Sequence, residues 1–208
     1  MADVIDVLTL AEGKAALRKH VASLDEATLA SWITAASEML DDLIGPVVCR
    51  TVVEHLTGRG ETTLFLRYHP NTSVTSVVEY SGSTPYELVA ETNGNPSDGY
   101  VAEPYEYDPR FLGCELHRRV GGLDASWARG RNNVEVTYVA GRFADTASVR
   151  PKHKRAVGLI LLNAWRSMED TTATQGEFDI PFASFPTFAM PKAVRQMFPD
   201  EIQDPLPM

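Results

Sequence analysis

The sequence predicts an α+β fold in which N-terminal helices and a long C-terminal helix form a small helical bundle, with an inserted antiparallel β region and an extended C-terminal tail. Two observations lead to this prediction. Apolar residues recur at helical spacing in residues 24–44 and 151–168. Between them, short β-branched and aromatic runs are separated by Gly, Pro, Asn and Asp, as in a series of strands and turns. We divide the chain into N-terminal helices (1–46), an inserted β region (47–139), a long core helix (140–168) and a docking tail (169–208).

Two helix starts are marked in the N-terminal part of the chain. Thr9 precedes Glu12 by three residues, and Ser23 precedes Glu26 by the same interval. This is the spacing of a capping box, in which the hydroxyl and the carboxylate satisfy backbone N–H groups of the first turn. We therefore expect helices to begin near Leu10 and near Leu24.

The two N-terminal helices differ in predicted strength. The first, over about 10–21, contains Gly13, which costs up to about 1 kcal/mol relative to Ala. The second, over about 24–44, ends at Gly45-Pro46, a common order of helix terminator and follower. Its apolar stripe consists of Leu29, Trp32, Ile33, Ala36, Met39, Leu40 and Leu43. Such a stripe indicates a helix that faces a core.

The β region contains a series of candidate strands. They lie at 47–56, 62–68, 74–80, 86–91, 100–107 and 111–120. The first three are predicted to form an antiparallel meander, because Gly58-Arg59-Gly60 and His69-Pro70-Asn71 are rich in turn-forming residues. We interpret residues 93–99 as a mobile loop and residues 123–132 as a loop.

A strand, a turn and a helix follow one another from Asn133 to Met168. Val134, Val136 and Tyr138 alternate with polar residues, which is typical of a strand with one face on a core. Pro151 fits the first turn of the helix that follows. The apolar face of this helix consists of Val157, Ile160, Leu161, Ala164, Trp165 and Met168, and is widened by Leu159 and Leu162. So wide a face indicates burial on two sides, against the protein's own core and a neighbouring subunit.

Basic residues cluster at the beginning of the long helix. They are Arg150, Lys152, Lys154 and Arg155. The helix macrodipole favours negative groups at this end, so the placement costs some stability. We consider two interpretations of this basic interface patch: the side chains are held for an acidic partner surface, or they are merely presented to solvent.

The C-terminal tail combines apolar side chains with little predicted regular structure. Prolines interrupt it, and a helix of one to two turns is predicted over about 191–198. We predict that the tail is a docking peptide, because its apolar residues have little regular structure to cover them. The predicted anchors are Phe185, Phe188, Met190, Pro191, Val194, Met197 and Phe198. A chain ending near Ser184 should then still fold. The alternative is a tail that folds back on its own domain.

Composition excludes several classes of protein. The 28 acidic and 19 basic residues leave a formal charge of −9, which disfavours a protein that wraps DNA by neutralising phosphates. The two cysteines, Cys49 and Cys114, are interpreted as reduced, buried residues of a reducing compartment.

The N-terminus lacks the basic residues of a signal peptide, and no apolar run approaches the roughly 18 residues of a membrane span. We therefore expect a soluble protein without membrane contact.

No catalytic, cofactor-binding or metal-binding motif is present in the sequence. Gly58-Arg59-Gly60-Glu61-Thr62-Thr63 lacks the Lys of a phosphate loop. Cys114 and His117 are separated by an odd number of positions, which places them on opposite faces of a strand and prevents them from acting as nucleophile and base. The five histidines are scattered, without the spacing of a zinc site. We therefore predict that the protein is not an enzyme and binds no cofactor or metal.

The order of elements is similar to that of a known family. The likeness is carried by Leu43-Ile44-Gly45-Pro46, Val74-Thr75-Ser76-Val77, Val136-Thr137-Tyr138-Val139-Ala140-Gly141, Pro151, Trp165 and Ala189-Met190-Pro191-Lys192-Ala193-Val194. Together these segments resemble the head-tail connector family, also called head completion or adaptor proteins, of long-tailed bacteriophages. The long β region departs from the small members of that family, in which this section is much shorter.

The resemblance implies a structural virion protein, a head-to-tail adaptor made in the host cytoplasm and located at the head-tail junction. It implies a ring of about twelve copies beneath the portal, joined to a downstream neck or tail protein. It also implies that the portal is the partner on which the C-terminal tail docks. Genomic DNA would pass through the lumen of the ring without sequence-specific binding, which suits an acidic protein. Alternatives are another phage neck protein, such as a tail terminator, and a small cytoplasmic hydrolase.

Overall fold

A computed structural model describes residues 5–17, 25–91, 98–104, 114–173 and 190–202, and for Pro104, Cys114 and residues 168–173 it describes the backbone only. The chain consists of two compact units. Residues 1–48 and 143–208 form one, here called the helical unit, and residues 49–142 form the other, the β unit. Helices and a large mixed sheet confirm the predicted α+β class.

The helical unit contains four helices. They are α1 (Leu10–Leu17), α2 (Glu26–Ile44), α3 (Pro151–Ala173) and α4 (Lys192–Met197). The capping box at α1 is confirmed: the Thr9 N–H donates to Glu12 Oε2 at 2.9 Å, and the Glu12 N–H donates to Thr9 Oγ1 at 3.3 Å. At α2 the cap is Asp25, whose carboxylate accepts from the Thr28 N–H at 2.8 Å. The predicted cap, Ser23, lies outside the described residues.

Glycines fix two features of the N-terminal helices. Gly45 ends α2 with a φ of 83°, a conformation that side chains disfavour. Gly13 allows α1 to approach α2 closely, because a Cβ atom at this position would lie 2.5 Å from Ile33 Cδ1. The loss of helix propensity at Gly13 is therefore offset by packing.

One apolar core holds the helical unit together. Its larger members are Leu17, Leu29, Ile33, Leu40, Ile44, Val157, Ile160, Leu161, Trp165, Val194 and Phe198. The rings of Trp32 and Trp165 pack with their centroids 5.8 Å apart, which joins α2 to α3. Four residues of the predicted face of α3 are thus buried: Val157, Ile160, Leu161 and Trp165. Ala164, Leu159 and Leu162 are only partly buried, and the side chain of Met168 lies outside the described part of the structure.

The β unit is built on one eight-stranded sheet. Its strands are β1 (Arg50–Gly58), β2 (Thr63–Phe65), β3 (Asn71–Ser81), β4 (Thr84–Ala90), β5 (Gly99–Pro104), β6 (Cys114–Val120), β7 (Leu123–Asp124) and β8 (Gly130–Ala140). The order is β1-β8-β3-β4-β5-β6-β2, with β7 paired to β6. All pairs are antiparallel except β4 with β5.

Two predictions about the β unit are wrong. The first three strands do not form a meander, because β1 pairs with β8 and β2 pairs with β6. Gly58 explains this: its N–H donates to Asn133 Oδ1 at 2.8 Å, which ties the end of β1 to β8 instead of to β2. Residues 123–132 are not simply a loop, because they contain β7 and the beginning of β8.

Several buried polar groups in the β unit are paired. Arg118 Nε donates to Glu79 Oε2 at 3.0 Å, and Glu79 Oε1 accepts from the Ala128 N–H at 2.6 Å. The Tyr138 hydroxyl donates to Glu54 Oε2 at 2.9 Å. Burial, followed by the charge of Glu54, raises the pKa of Tyr138 well above its ordinary value. These pairs position β3 and β6, and β1 and β8, within one sheet.

Candidate assembly surface

The C-terminal helix α4 packs on the core of its own helical unit. Val194 and Phe198 are fully buried, and Met190 and Met197 are partly buried against the same core. Pro191 precedes α4 as its N-cap residue. This part of the tail therefore folds back on its own domain, which was the alternative considered from the sequence. A helix of six residues cannot cover its own apolar face, so α4 buries that face by packing on α3. Phe185 and Phe188 lie outside the described residues, and their docking role remains a prediction.

Residues at the start of α3 hold Phe198 in place. The ring of His153 lies 5.0 Å from the Phe198 ring, centroid to centroid, and Lys152 Nζ lies 4.3 Å from the Phe198 centroid. Lys152 Nζ also pairs with Glu201 Oε1 at 3.1 Å. A cation over an aromatic face and an ion pair from the same ammonium group therefore fasten the tail to α3.

The four residues of the basic interface patch do not act as one free surface. Lys152 is engaged with the tail, and Lys154 Nζ pairs with Glu12 Oε1 at 2.7 Å. The Arg150 guanidinium lies 6.0 Å from the centroid of the Phe143 ring. Arg155 is exposed and makes no ion pair with the described part of the chain. Two of the four basic side chains thus form ion pairs within the subunit, a third possibility beside the partner surface and the solvent considered from the sequence.

Glu12→Gln is expected to make the free energy of unfolding depend less steeply on pH at acidic pH. Burial opposes the ionisation of Glu12, but hydrogen bonds from Lys154 and Thr9 outweigh it and lower the pKa below the usual 4.5. Between the two pKa values the unfolded chain binds more protons than the folded chain. Stability therefore rises with pH through this window and is lost as pH falls through the folded pKa. Urea titrations on both sides of pH 4.5 measure the effect.

Glu38→Gln is the matched control for this prediction. Glu38 is an exposed glutamate on α2 that makes no ion pair with the described residues. Because its substitution removes an exposed carboxylate without an ion-pair partner among the described residues, the free energy of unfolding at neutral pH should change little. Equal pH dependence in wild type and Glu12→Gln would show that the Lys154 contact contributes nothing.

A groove lies between α1 and α3. Its volume is about 690 Å³, and apolar side chains form most of its lining. They include Leu8, Ala15, Ala16, Leu159 and Leu162, with Gly158 at the point where α3 approaches Ala16. Charged residues at the groove are Glu12, Lys154, Arg155 and Arg166. We call this the α1/α3 groove.

The charge of the groove is positive. Glu12 and Lys154 offset each other, whereas Arg155 and Arg166 are exposed and make no ion pair with any residue that the structure describes. The two arginines are eleven residues apart, close to three helical turns, so they lie on the same side of α3 about 16 Å apart along its axis. The groove is therefore an apolar surface with an arginine toward each end.

The β unit also exposes apolar side chains. The two-residue turn Gly121-Gly122 joins β6 to β7. Its φ angles of 58° and 81° are both positive, as a type I′ hairpin turn requires. Val120 and Leu123 flank it and are exposed, Leu123 by 73%. Phe65 is exposed on β2, the last strand in the order of the sheet. Sequence analysis assigned no role to these residues, since a single apolar residue beside a turn carries no distinctive signal.

The described residues contain no constellation for metal binding. No group of three or more His, Cys, Asp or Glu side chains is assembled among them. Cys49 is a free, partly buried thiol, and burial raises its pKa, which lowers its reactivity.

Among the residues that the structure describes, no helix is both long enough and apolar enough to cross a membrane.

Comparisons with known proteins give matches among solved structures alone: no family model and no curated protein matches the chain. A chain from the neck of an empty gene transfer agent (GTA) particle, computed with C6 symmetry, aligns with a TM-score of 0.58 and 19% identity. The alignment covers 95% of this chain and 92% of that one. The protein shares the fold of this neck chain.

Two further chains from GTA particles support the same fold assignment. One belongs to the virion of a native particle, with a TM-score of 0.55, 19% identity, and coverage of 88% of this chain and 87% of that chain. The other belongs to the neck of a native particle computed with C12 symmetry, with a TM-score of 0.51, 17% identity, and coverage of 95% and 92%. Because both chains are covered almost completely, the likeness includes the helices and the sheet.

Proposed function

We propose that the protein is a structural neck component of a tailed phage or phage-like particle, and that it acts as the head-to-tail adaptor. The observation that carries this proposal is the fold shared with neck chains of GTA particles over 95% of this chain. The order of sequence elements, which resembles the head-tail connector family, supports the same role. The C6 and C12 symmetries of the neck structures agree with a ring of about twelve copies.

The charge of the chain supports a role beside DNA without binding to it. A formal charge of −9 repels the phosphate backbone, so a ring of such subunits lets a duplex pass through its lumen without retention. The chains that share the fold belong to the neck and the virion of GTA particles, which supports a structural role. We therefore propose a non-enzymatic role, with genomic DNA as a passing occupant of the ring.

We propose that the portal contacts the tail ahead of α4. Of the predicted anchors, Phe185, Phe188, Met190 and Pro191 precede α4, and Met197 is only partly buried, whereas Val194 and Phe198 are occupied by the helical core. The outward face of α4 presents Lys192, Arg195 and Gln196. In this arrangement α4 fixes the base of the docking segment to α3, while the preceding residues make the intermolecular contact.

The experiment combines the purified full chain with the portal protein of the same particle. We expect a ring on the portal by electron microscopy and a matching complex in sedimentation velocity. Phe185→Ala together with Phe188→Ala should weaken portal binding by about tenfold or more, because aromatic anchors carry much of such an interface. A wild-type chain that never joins the portal would contradict the adaptor role.

Leu123→Ala provides the matched control for the aromatic double variant. It also removes apolar surface, but from an exposed site in the β unit, and it should leave portal binding unchanged. Binding to the far end of a tail tube instead of the portal would favour the alternative role of a tail terminator. Portal binding that tolerates the loss of both phenylalanines would place the docking contact elsewhere.

A further inference from the structure

The outward side of α2 carries negative charge without a partner among the described residues. Ser31, Ala35, Glu38 and Asp42 are all exposed, and their spacing places them along one side of the helix. Glu38 and Asp42 make no ion pair with the described residues and are one turn apart, about 6 Å along the axis. Met39 and Leu43 beside them are partly buried. We call this surface the α2 ridge.

The charges on α2 and α3 stand at unfavourable ends of their helices. Arg155 lies near the N-terminus of α3, where the macrodipole favours anions, and Asp42 lies in the last turn of α2, where it favours cations. Each placement costs stability in the isolated subunit. A surface that brings these opposite charges together in an assembly gives both of them a compensating partner.

The ridge and the groove of one chain cannot meet each other. The opposite face of α2, with Leu29, Ile33, Ala36 and Leu40, is buried in the helical core. This packing fixes Glu38 and Asp42 outward, whereas the α1/α3 groove is formed by other helices of the same unit. A ridge that enters the groove must therefore come from another copy.

We propose that the α1/α3 groove of one subunit receives the α2 ridge of the next, and that this contact is the subunit interface of the ring. The proposal rests on the proposed function, since it identifies the surface through which the ring closes. The two surfaces match in chemistry: an apolar groove with Arg155 and Arg166, and a helix with small residues, Glu38 and Asp42. Helices commonly pack by placing the ridge of one into a groove of another.

The interface is heterologous, because two different patches meet. Such contacts produce closed rings when the rotation between subunits closes, and open filaments when it does not. The small side chains of Ser31 and Ala35 allow close approach to the groove at Gly158 and Ala16, which are also small. Opposite charge favours the contact between the two surfaces, while the apolar lining supplies buried area.

Charge exchange between the two surfaces tests the proposal. The groove variant carries Arg155→Glu and Arg166→Glu, and the ridge variant carries Glu38→Lys and Asp42→Lys. Each alone should raise the concentration needed for self-association in sedimentation velocity by about tenfold or more, because like charges then face each other. Each should also fail to form rings on the portal in electron microscopy.

Rescue distinguishes a lost interface from a damaged subunit. A chain that carries all four substitutions should assemble again, since the charges are exchanged and still complementary. An equimolar mixture of the groove and ridge variants should also form rings, in which the two chains alternate. Circular dichroism melts of all variants should match wild type, because the new charges suit the macrodipoles at Arg155 and Asp42.

The matched control reverses two cations elsewhere on the helical unit. Lys192→Glu and Arg195→Glu change the net charge by the same amount, at exposed positions of α4, and should leave self-association unchanged. Rings that persist in both the groove and the ridge variants, or a four-fold variant that is not rescued, would overturn this interface. A wild-type chain that forms no ring, alone or on the portal, would overturn the proposed function itself.

Discussion

Phe198→Ala is expected to lower the free energy of unfolding by about 3 kcal/mol or more, the usual range for a buried aromatic ring replaced by Ala. Phe198 has no exposed surface, and it packs on His153 and beneath Lys152 at the start of α3. Its removal leaves a cavity and also deprives Lys152 of its aromatic partner. Urea denaturation followed by circular dichroism at 222 nm measures the loss.

Leu123→Ala is the control for this substitution. It also shortens an apolar side chain, but Leu123 is 73% exposed, so the free energy of unfolding should change little. A chain that ends at Ser184 lacks Val194 and Phe198 altogether, and it should melt at a lower temperature than wild type. If Phe198→Ala and the truncated chain both unfold like wild type, α4 does not belong to the core.

This result bears directly on how portal binding is interpreted. The sequence led us to expect that removal of the tail beyond Ser184 would leave folding intact, but the buried positions of Val194 and Phe198 contradict that expectation. Loss of portal binding after truncation would therefore combine a destabilised subunit with a missing contact. Substitutions at Phe185 and Phe188 separate the two effects, because they leave α4 in place.

The helices were predictable because their signals are local. The Thr9–Glu12 capping box, the stripe around Leu40 and the terminator Gly45 all lie within a few residues of the backbone they govern. Pro151 likewise marks the start of α3 from sequence alone. Local hydrogen bonds and periodicity decided these elements, so the sequence predicted them without knowledge of the fold.

The sheet was predicted only as a set of strands. Strand partners are chosen by long-range contacts, and the pairing of β1 with β8 joins residues as distant as Arg50 and Ala140. Asn133 contributes to this pairing because its side-chain oxygen accepts a hydrogen bond from the Gly58 N–H, a contact that no local sequence pattern predicts. The parallel pairing of β4 with β5 is another contact without a short-range signal.

The sequence predicted which basic residues cluster at the candidate site, but not the partners that they contact. The sequence singled out Lys152 and Lys154 as basic, yet their partners, Glu201 and Glu12, lie far away along the chain. Arg166 was not singled out, because it stands alone on the C-terminal half of α3. Helix geometry places it on the same side of α3 as Arg155, but only the fold adds α1, which makes that side one wall of a groove.

Arg118→Met is expected to lower the free energy of unfolding by about 3–5 kcal/mol, the usual result when one partner of a buried ion pair is removed. Arg118 and Glu79 are 8% and 6% exposed, and the guanidinium also donates to Asp98 Oδ1 at 2.6 Å and to the Gly99 carbonyl at 3.0 Å. Methionine fills similar space but leaves the Glu79 carboxylate with the Ala128 N–H alone.

The loss should be specific to the β unit. Arg131→Met makes the same chemical change on β8, where the side chain is exposed and unpaired among the described residues, and it should be nearly neutral. Glu79→Gln with Arg118→Met should recover part of the loss, because no carboxylate is then buried without its cation. Chemical denaturation of the three variants gives the comparison. Equal stability of Arg118→Met and Arg131→Met would show that the Glu79 carboxylate is solvated in the folded protein and that β3 and β6 are held together by their apolar neighbours, Val77 and Leu116.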